Sequence, residues 1–246
     1  MEVWARTEVG LVREHNEDSY LVLPDLPLLA VADGMGGHQA GEVASRLAVY
    51  TLESYAGLLS GASDPAPLLE QAFKEANRQI RRQGELNPNQ YGMGTTLTAA
   101  LLNGRRLVAA HVGDSRLYLW RSRRLRRLTR DHSVVEELLQ NGAISPQAAL
   151  NHPFRHVLTR ALGSEENVAV DCFEEELAPG DCLLLCSDGL TNLVADGEIE
   201  LIMSSRSLGL PAMVDQLVNL ALSRGGHDNV TVIIARLGRR GESSAG

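Results

Sequence analysis

The sequence predicts an α+β protein in which two β-sheets are covered by helices on their outer faces. Two kinds of local pattern and their order along the chain support this. Apolar runs of strand length, Leu28 to Ala32, Leu107 to Val112, Leu183 to Cys186 and Val230 to Ile234, are each bounded by Asp, Gly or Asn. Apolar residues recur at helical spacing in separate segments. The resulting order is strands, two helices, strands, a helical insert, strands, two helices and a last strand, and two sheets with helices outside satisfy it.

From Gly41 to about Ser60, Val43, Leu47, Thr51 and Tyr55 recur every four residues beside Ala44, Ala48 and Leu52, which predicts one amphipathic helix. After the break Gly61-Ala62-Ser63-Asp64-Pro65, Leu69, Ala72, Phe73, Ala76 and Ile80 trace the apolar stripe of a second, packed beside the first. Pro88 ends it. Gly94 to Leu102 reads as a strand, and Asn103-Gly104 turns it into a hairpin with Arg106 to Val112. Further strands are expected at Arg116 to Trp120, Val168 to Glu176 and Asp181 to Cys186, the last entered through Pro179-Gly180. Helices return at about Asp196 to Ser205 and Pro211 to Ser223. The segment 131–163 interrupts the strands and reads as an inserted flap, and 238–246 is polar and glycine-rich, a tail expected to be disordered.

With 246 residues, 44% of them hydrophobic, the chain can bury a large core, and residues 1–237 are expected to form one domain. No run approaches about 18 apolar residues, and Met1 to Arg6 lacks the apolar stretch of a signal peptide, so a cytoplasmic protein without membrane attachment is expected. Cys172, Cys182 and Cys186 form no Cys-x-x-Cys pair, which indicates neither a disulfide framework nor a structural zinc site. The net charge of −8 argues against general nucleic-acid binding. Arg121, Arg123, Arg124, Arg126, Arg127 and Arg130 run against that balance. They read as a solvated hairpin tip or as a docking patch for an acidic or phosphorylated partner.

Asp18, Asp33, Asp114, Asp188 and Asp228 each stand at the mouth of an apolar or glycine-bounded stretch, and together they suggest one metal site. Strand ends hold carboxylates more rigidly than loops do. Converging carboxylates raise one another's pKa unless a divalent cation neutralises them, and oxygen ligands of this kind suit Mg²⁺ or Mn²⁺. Other phosphate chemistries lack their signatures. No cysteine has an arginine six residues later, as the Cys-x5-Arg phosphatases require, and Lys74, the only lysine, does not follow a P-loop glycine. Gly34-Met35-Gly36-Gly37-His38-Gln39 lacks the final glycine of a dinucleotide fingerprint. Metal-assisted hydrolysis remains.

Arg13-Glu14-His15-Asn16-Glu17-Asp18, Asp33-Gly34-Met35-Gly36-Gly37-His38, Gly94-Thr95-Thr96, Gly113-Asp114-Ser115-Arg116, Ser187-Asp188-Gly189-Leu190 and Asp228-Asn229 resemble, in order and spacing, the type 2C metal-dependent serine/threonine protein phosphatases, the PPM family. The likeness spans nearly the whole chain and is greatest to the short bacterial members. It implies a four-layer α-β-β-α sandwich of two mainly antiparallel sheets, with two ions of Mn²⁺ or Mg²⁺ between them at one end. By the same resemblance Asp33 bridges both ions, Asp188 and Asp228 hold one, and the Gly34 carbonyl helps hold the other. Asp18 acts on bound waters or on a metal directly, and Arg13 binds the phosphoryl oxygens, a role suited to its fork of donors. Asp114, sharing Asp188, matches the ligand of a weaker third ion.

Some members carry His directly after the Asp-Gly pair as general acid. Met35 stands there in this chain, and His38 lies three residues later. His38 is the candidate acid, and capping the helix that starts near Gly41 or bonding a water are its alternatives. His111, His132, His152, His156 and His227 read as structural. The implied partners are phosphorylated proteins, opposing a serine/threonine kinase, with the enzyme a monomer. Two rivals are a catalytically silent module that keeps the fold, and a structural calcium or magnesium protein. Ligands scattered from position 18 to 228, with none of the key carboxylates lost, count against both.

Overall fold

The computed structural model describes residues 1–23, 25–36, 39–205 and 207–238. The expected tail 238–246 lies outside them, apart from Gly238. Among the described residues eleven strands form two sheets in which every pairing is antiparallel. The first contains β1 (Glu2–Glu8), β11 (Val230–Arg236), β10 (Cys182–Cys186), β7 (Arg116–Arg121) and β8 (Arg124–Arg127), in that spatial order. The second runs β2 (Asp18–Leu23), β3 (Leu28–Met35), β5 (Leu97–Asn103), β6 (Arg106–Val112) and β9 (Asp171–Glu176), with the short β4 (Gly94–Thr95) paired to the end of β3.

Residue parity along the strands explains the apolar runs. Leu28, Ala30 and Ala32 of β3 pack outward under α1 (Ala40–Ser54) and α3 (Ala66–Leu86), whereas Leu29 and Val31 point at the other sheet. Leu184 and Cys186 of β10 likewise pack with α6 (Asp188–Thr191), α7 (Asp196–Met203) and α8 (Leu210–Ser223), while Leu183 and Leu185 meet Leu29 and Val31 in the layer between the sheets. Both faces of the central strands are therefore buried, so these strands read as continuous hydrophobic stretches although the sheets are antiparallel. The layers are helix, sheet, sheet, helix, as the resemblance implies.

Local differences from the expectations have identifiable causes. The helix expected from Gly41 to about Ser60 breaks at Tyr55 into α1 and α2 (Ala56–Gly61). The strand expected from Gly94 splits at Thr96, whose backbone N–H turns aside to the carbonyl of Asp33 at 2.9 Å. The arginine segment contains a strand, β8, joined to β7 through Ser122 and Arg123, both with positive φ (51° and 65°), the conformation a two-residue hairpin turn demands. The flap carries α4 (Val134–Gln140) and α5 (Pro146–Leu150), each N-capped by a serine hydroxyl, Ser133 and Ser145. Its two ends are pinned by the bridge Ser133↔Leu158, and Leu162 returns to pair with Thr95. Among the described residues no helix is long and apolar enough to cross a membrane.

Candidate metal centre and active cleft

The five aspartates converge at one end of the layer between the sheets, and strand register brings them there. Asp33 lies two residues beyond Val31 and so faces the opposite sheet, with Asp18 directly across from it in the β2–β3 ladder. The backbone of Asp33 is fixed by the Gly94-Thr95-Thr96 segment. Its N–H donates to Thr96 Oγ1, and its carbonyl accepts from Thr95 Oγ1 and from the Thr96 N–H, all at 2.9 Å. Gly34 and Gly189, the glycines that follow Asp33 and Asp188, are sites of close approach. A Cβ on Gly34 would lie 2.0 Å from the Gly41 carbonyl oxygen, and one on Gly189 would lie 2.0 Å from that of Asn229.

Each carboxylate has distinct company. Asp18 Oδ2 accepts from Ser187 Oγ at 2.7 Å and from Thr231 Oγ1 at 2.6 Å, while its Oδ1 is buried with no partner among the described residues. Asp188 Oδ2 accepts from Asn192 Nδ2 at 2.9 Å, and its Oδ1 too is buried and unpartnered. Asp33 and Asp188 line the same cleft, and the charge of Asp188 raises the Asp33 carboxyl. Asp228 Oδ2 lies 2.8 Å from Arg13 Nη2, and its Oδ1 accepts from the Asn229 N–H at 2.9 Å.

Burial followed by mutual repulsion sets the electrostatics. The Asp18 carboxyl is pushed up to about 7, first by burial and further by Asp188 and Asp228, against the two hydroxyls, which lower it. Asp33 is held well above the ordinary carboxylate range by burial and then by Asp18 and Asp188. Asp114 is raised by burial and by Asp188, and Asp188 by burial and by Asp228. Orphaned carboxylate oxygens in a buried cluster of like charge are the surroundings a hard divalent cation relieves. The donor set therefore fits Mg²⁺ or Mn²⁺. Among the described residues no three of the candidate side chains already form a closed ion cage, and these two ions suit such an open arrangement because they keep several waters.

Above the carboxylates opens a cleft of about 470 Å³. One wall carries Arg13, Asp33, Gly34, Asp114, Asp188 and Asp228, and the flap's return segment, including His156, Thr159 and Ala161, supplies the other. Asp18 lies beneath the cleft rather than in its wall. His38 falls outside the described residues.

Residues 12–221 match the protein phosphatase 2C family profile. The chain belongs to the protein phosphatase 2C family. The serine/threonine phosphatase stp of Listeria welshimeri is 45% identical over 236 residues, which cover 93% of each chain. The crystal structure of the Mycobacterium tuberculosis serine/threonine phosphatase PstP/Ppp aligns with a TM-score of 0.90 at 42% identity, covering 97% of this chain and 99% of that one. The catalytic domain of the serine/threonine protein phosphatase PstP, crystallised with two manganese ions, aligns with a TM-score of 0.87 at 39% identity over 96% of this chain and 98% of that one.

Several residues of this phosphatase 2C cleft were not singled out from the sequence. Glu17 lines it with a buried Oε1 that has no hydrogen-bond partner among the described residues, and burial raises its carboxyl while the Arg13 charge lowers it. Asn229 ties the Arg13 loop to the site. Its Oδ1 accepts from the Glu17 N–H at 2.8 Å, and its Nδ2 donates to the carbonyls of Val9 and His15 at 2.8 and 2.9 Å. Their sequence signal was adjacency, Glu17 to Asp18 and Asn229 to Asp228. His156, expected to be structural, lies on the cleft wall, and a positive charge there would lower the Asp188 carboxyl. His111 and His132 do have structural places. Both are buried with ring centres 4.7 Å apart, and burial lowers His111 to about 4.

A second hollow of about 1000 Å³ adjoins the cleft and shares Arg13, His156 and Asp228 with it. Val135, Leu139, Ala149 and Leu150 of the flap helices face Leu193 and Asp196 across it. The arginine hairpin is largely paired with carboxylates. Arg121 binds Asp181 through two nitrogens, Arg126 meets Glu175 at 2.8 Å, and Arg127 contacts Asp131 and Glu136. Of the two readings of that segment, this pairing disfavours a docking patch.

Proposed function

We infer that this chain is a metal-dependent protein serine/threonine phosphatase, hydrolysing phosphoserine and phosphothreonine on bacterial signalling proteins. The observation that carries the reading is the gathering of Asp33, Asp114, Asp188 and Asp228 in one cleft together with Arg13. Manganese is the ion best supported, by the two ions in the related PstP domain, and Mg²⁺ would serve with the same oxygen ligands. When bound, two such ions polarise the phosphoryl group and acidify the water that attacks it.

The remaining work falls to the chain's own residues. Asp33 would hold both core ions, Asp188 and Asp228 would hold one of them, and the Gly34 carbonyl would help hold the other. Asp18 would orient a ligand water or bind directly through Oδ1. Arg13 is half-exposed on the rim, where its guanidinium can bind two phosphoryl oxygens while still facing Asp228. Water adds to phosphorus as the serine or threonine oxygen departs. That oxygen takes up a proton, and His38 is the proposed donor. The products are the free hydroxyl and inorganic phosphate. Asp114, next to Asp188, is proposed to hold a third, weaker ion.

The catalytic unit is taken as residues 1–237 with the flap at 131–163. The hollow between flap and α7, about 1000 Å³ in volume and adjoining the cleft, offers room for residues flanking the phosphorylated one, so substrate choice is assigned there. A monomer opposing a serine/threonine kinase in the cytoplasm completes the proposal, and the three unpaired cysteines suit that compartment. The test is hydrolysis of a phosphothreonine peptide. Chelator should abolish turnover and added Mn²⁺ or Mg²⁺ restore it, whereas full activity in chelator with no metal on the protein would overturn the reading.

A further inference from the structure

Three strands of the first sheet change character at the same level. On β1 the residues facing the other sheet run Val3, Ala5, Thr7; on β11 they run Ala235, Ile233, Thr231; on β10 they run Leu183, Leu185 and then Ser187 just beyond the strand. Each row is apolar until it reaches the carboxylates and ends in a hydroxyl. Packing alone would favour continuing these rows with Val or Ala, since a buried hydroxyl costs free energy unless it is hydrogen-bonded.

The hydroxyls form a connected path with one direction. An ionised Asp18 can only accept, so Thr231 donates its proton to Asp18 Oδ2, and Ser187 donates to the same oxygen. Thr231 must then accept from Thr7 Oγ1, 2.8 Å away, and Thr7 in turn accepts from Asn16 Nδ2, also at 2.8 Å. Asn16 Oδ1 closes the loop by accepting from the Asp18 N–H at 3.2 Å. Both donors from the first sheet thus seize one oxygen of a carboxylate carried by the second. The other oxygen, Oδ1, is buried and has no partner among the described residues.

We propose that Thr231 is a positioning residue for the metal centre: backed by Thr7 and aided by Ser187, its hydroxyl clamps Asp18 Oδ2 and so presents Oδ1 to the bound ion or its water. Groups that orient a ligand in this way govern metal affinity without touching the substrate, and losing one costs roughly 10- to 100-fold in affinity or activity. The inference rests on the metal-centre reading above.

The test is calorimetric titration of Mn²⁺ alone into the protein. Thr231→Val keeps the shape and removes the hydroxyl; it should raise the Mn²⁺ dissociation constant by about tenfold, and Thr231→Ser should restore it. With saturating Mn²⁺, KM for p-nitrophenyl phosphate should stay within about twofold of wild type, because Arg13 is untouched. Should Thr231→Val fail to fold, Ser187→Ala removes the second donor to the same oxygen and should weaken Mn²⁺ in the same sense. Unchanged Mn²⁺ affinity in whichever folded variant is measured, or weakening that serine at 231 does not reverse, would overturn the proposal. A wild-type protein that binds no Mn²⁺ would instead overturn the metal centre itself.

Discussion

Asp18 and Asp33 are direct partners across the β2–β3 ladder, two carboxylates on neighbouring strands with both side chains turned into the layer between the sheets. Like charges placed opposite each other weaken a ladder. Nothing about strand formation requires the pair, since Val31 and Tyr20 precede it in the same register. Local ladder stability and the chemistry of the cleft pull in opposite directions here, as is common at functional sites.

That opposition gives the metal-free protein a pH dependence of definite sign. The folded Asp18 carboxyl is raised to about 7, above its unfolded value, so the folded state binds more protons between the two values. Its contribution to stability is fully present below the ordinary carboxylate range and is lost as pH rises through about 7. Asp33 and Asp114 act in the same direction. In chelator, the melting temperature of wild type should therefore fall relative to that of Asp18→Asn as pH rises towards neutrality. Saturating Mn²⁺ should reverse the trend, because metal binding needs the deprotonated ligands. Scanning calorimetry of both proteins across that range, with chelator and with metal, checks both signs. A wild-type minus variant difference that ignores pH would remove Asp18 from the coupled cluster.

Asp33→Asn keeps the size of the side chain and deletes one charge at the point where Asp18 and Asp188 both press on it. Without metal the variant should melt higher than wild type near neutral pH, since a repelling carboxylate is gone. With Mn²⁺ it should bind fewer ions by calorimetry and turn over roughly a hundredfold more slowly or worse. Gain of apo stability together with loss of metal is the signature sought. Two ions bound tightly with near-normal turnover would refute the bridging role.

Gly34→Ala asks whether the turn after Asp33 tolerates any side chain. The added methyl would lie 2.0 Å from the Gly41 carbonyl oxygen and 2.7 Å from that of Glu17, both backbone atoms that cannot swing away. The start of α1 must then move off β3, carrying the Glu17 and Asp33 backbones with it. A clear drop in melting temperature and loss of Mn²⁺ binding are expected, whereas Gly57→Ala, with open space around it, should change neither. Equal behaviour of the two variants would mean that the turn adapts freely.

Much of this was legible in the sequence because burial on both faces wrote the strands as apolar runs, and each run delivered an aspartate at its end. Asp33 after Leu28 to Ala32 and Asp188 after Leu183 to Ser187 were visible for that reason. Less visible were groups whose role depends on what lies across the sheet. Thr231 and Ser187 look like ordinary polar residues of a strand and its end until register sets them against Asp18, some 170 or more positions away in the chain. Glu17 was hidden beside a stronger signal, and His156 by a flap with weak periodicity. The arginine hairpin stayed open between two readings, since its carboxylate partners Glu175 and Asp181 come from distant strands and turns.

Arg13 and Asp114 border the same cleft and should fail in different kinetic terms. Arg13 Nη2 lies 2.8 Å from Asp228 Oδ2, so its fork is already aimed at the carboxylates over which a phosphoryl group would sit. Arg13→Ala should raise KM for a phosphothreonine peptide and lower kcat, because the contact exists in both ground and transition states, while calorimetry still finds the two core ions. Asp114 shares the carboxylate wall with Asp188, whose charge raises it while that of Arg116 lowers it, a sparse ligand set suited to a weak ion. Asp114→Ala should leave the core ions and KM near wild type and abolish only the activation seen on adding metal in about the millimolar range. Titrating metal against rate for both variants separates the roles. If Asp114→Ala were activated by added metal as wild type is, no third ion would act in turnover, and Asp114 would be a turn residue beside Ser115 and Arg116.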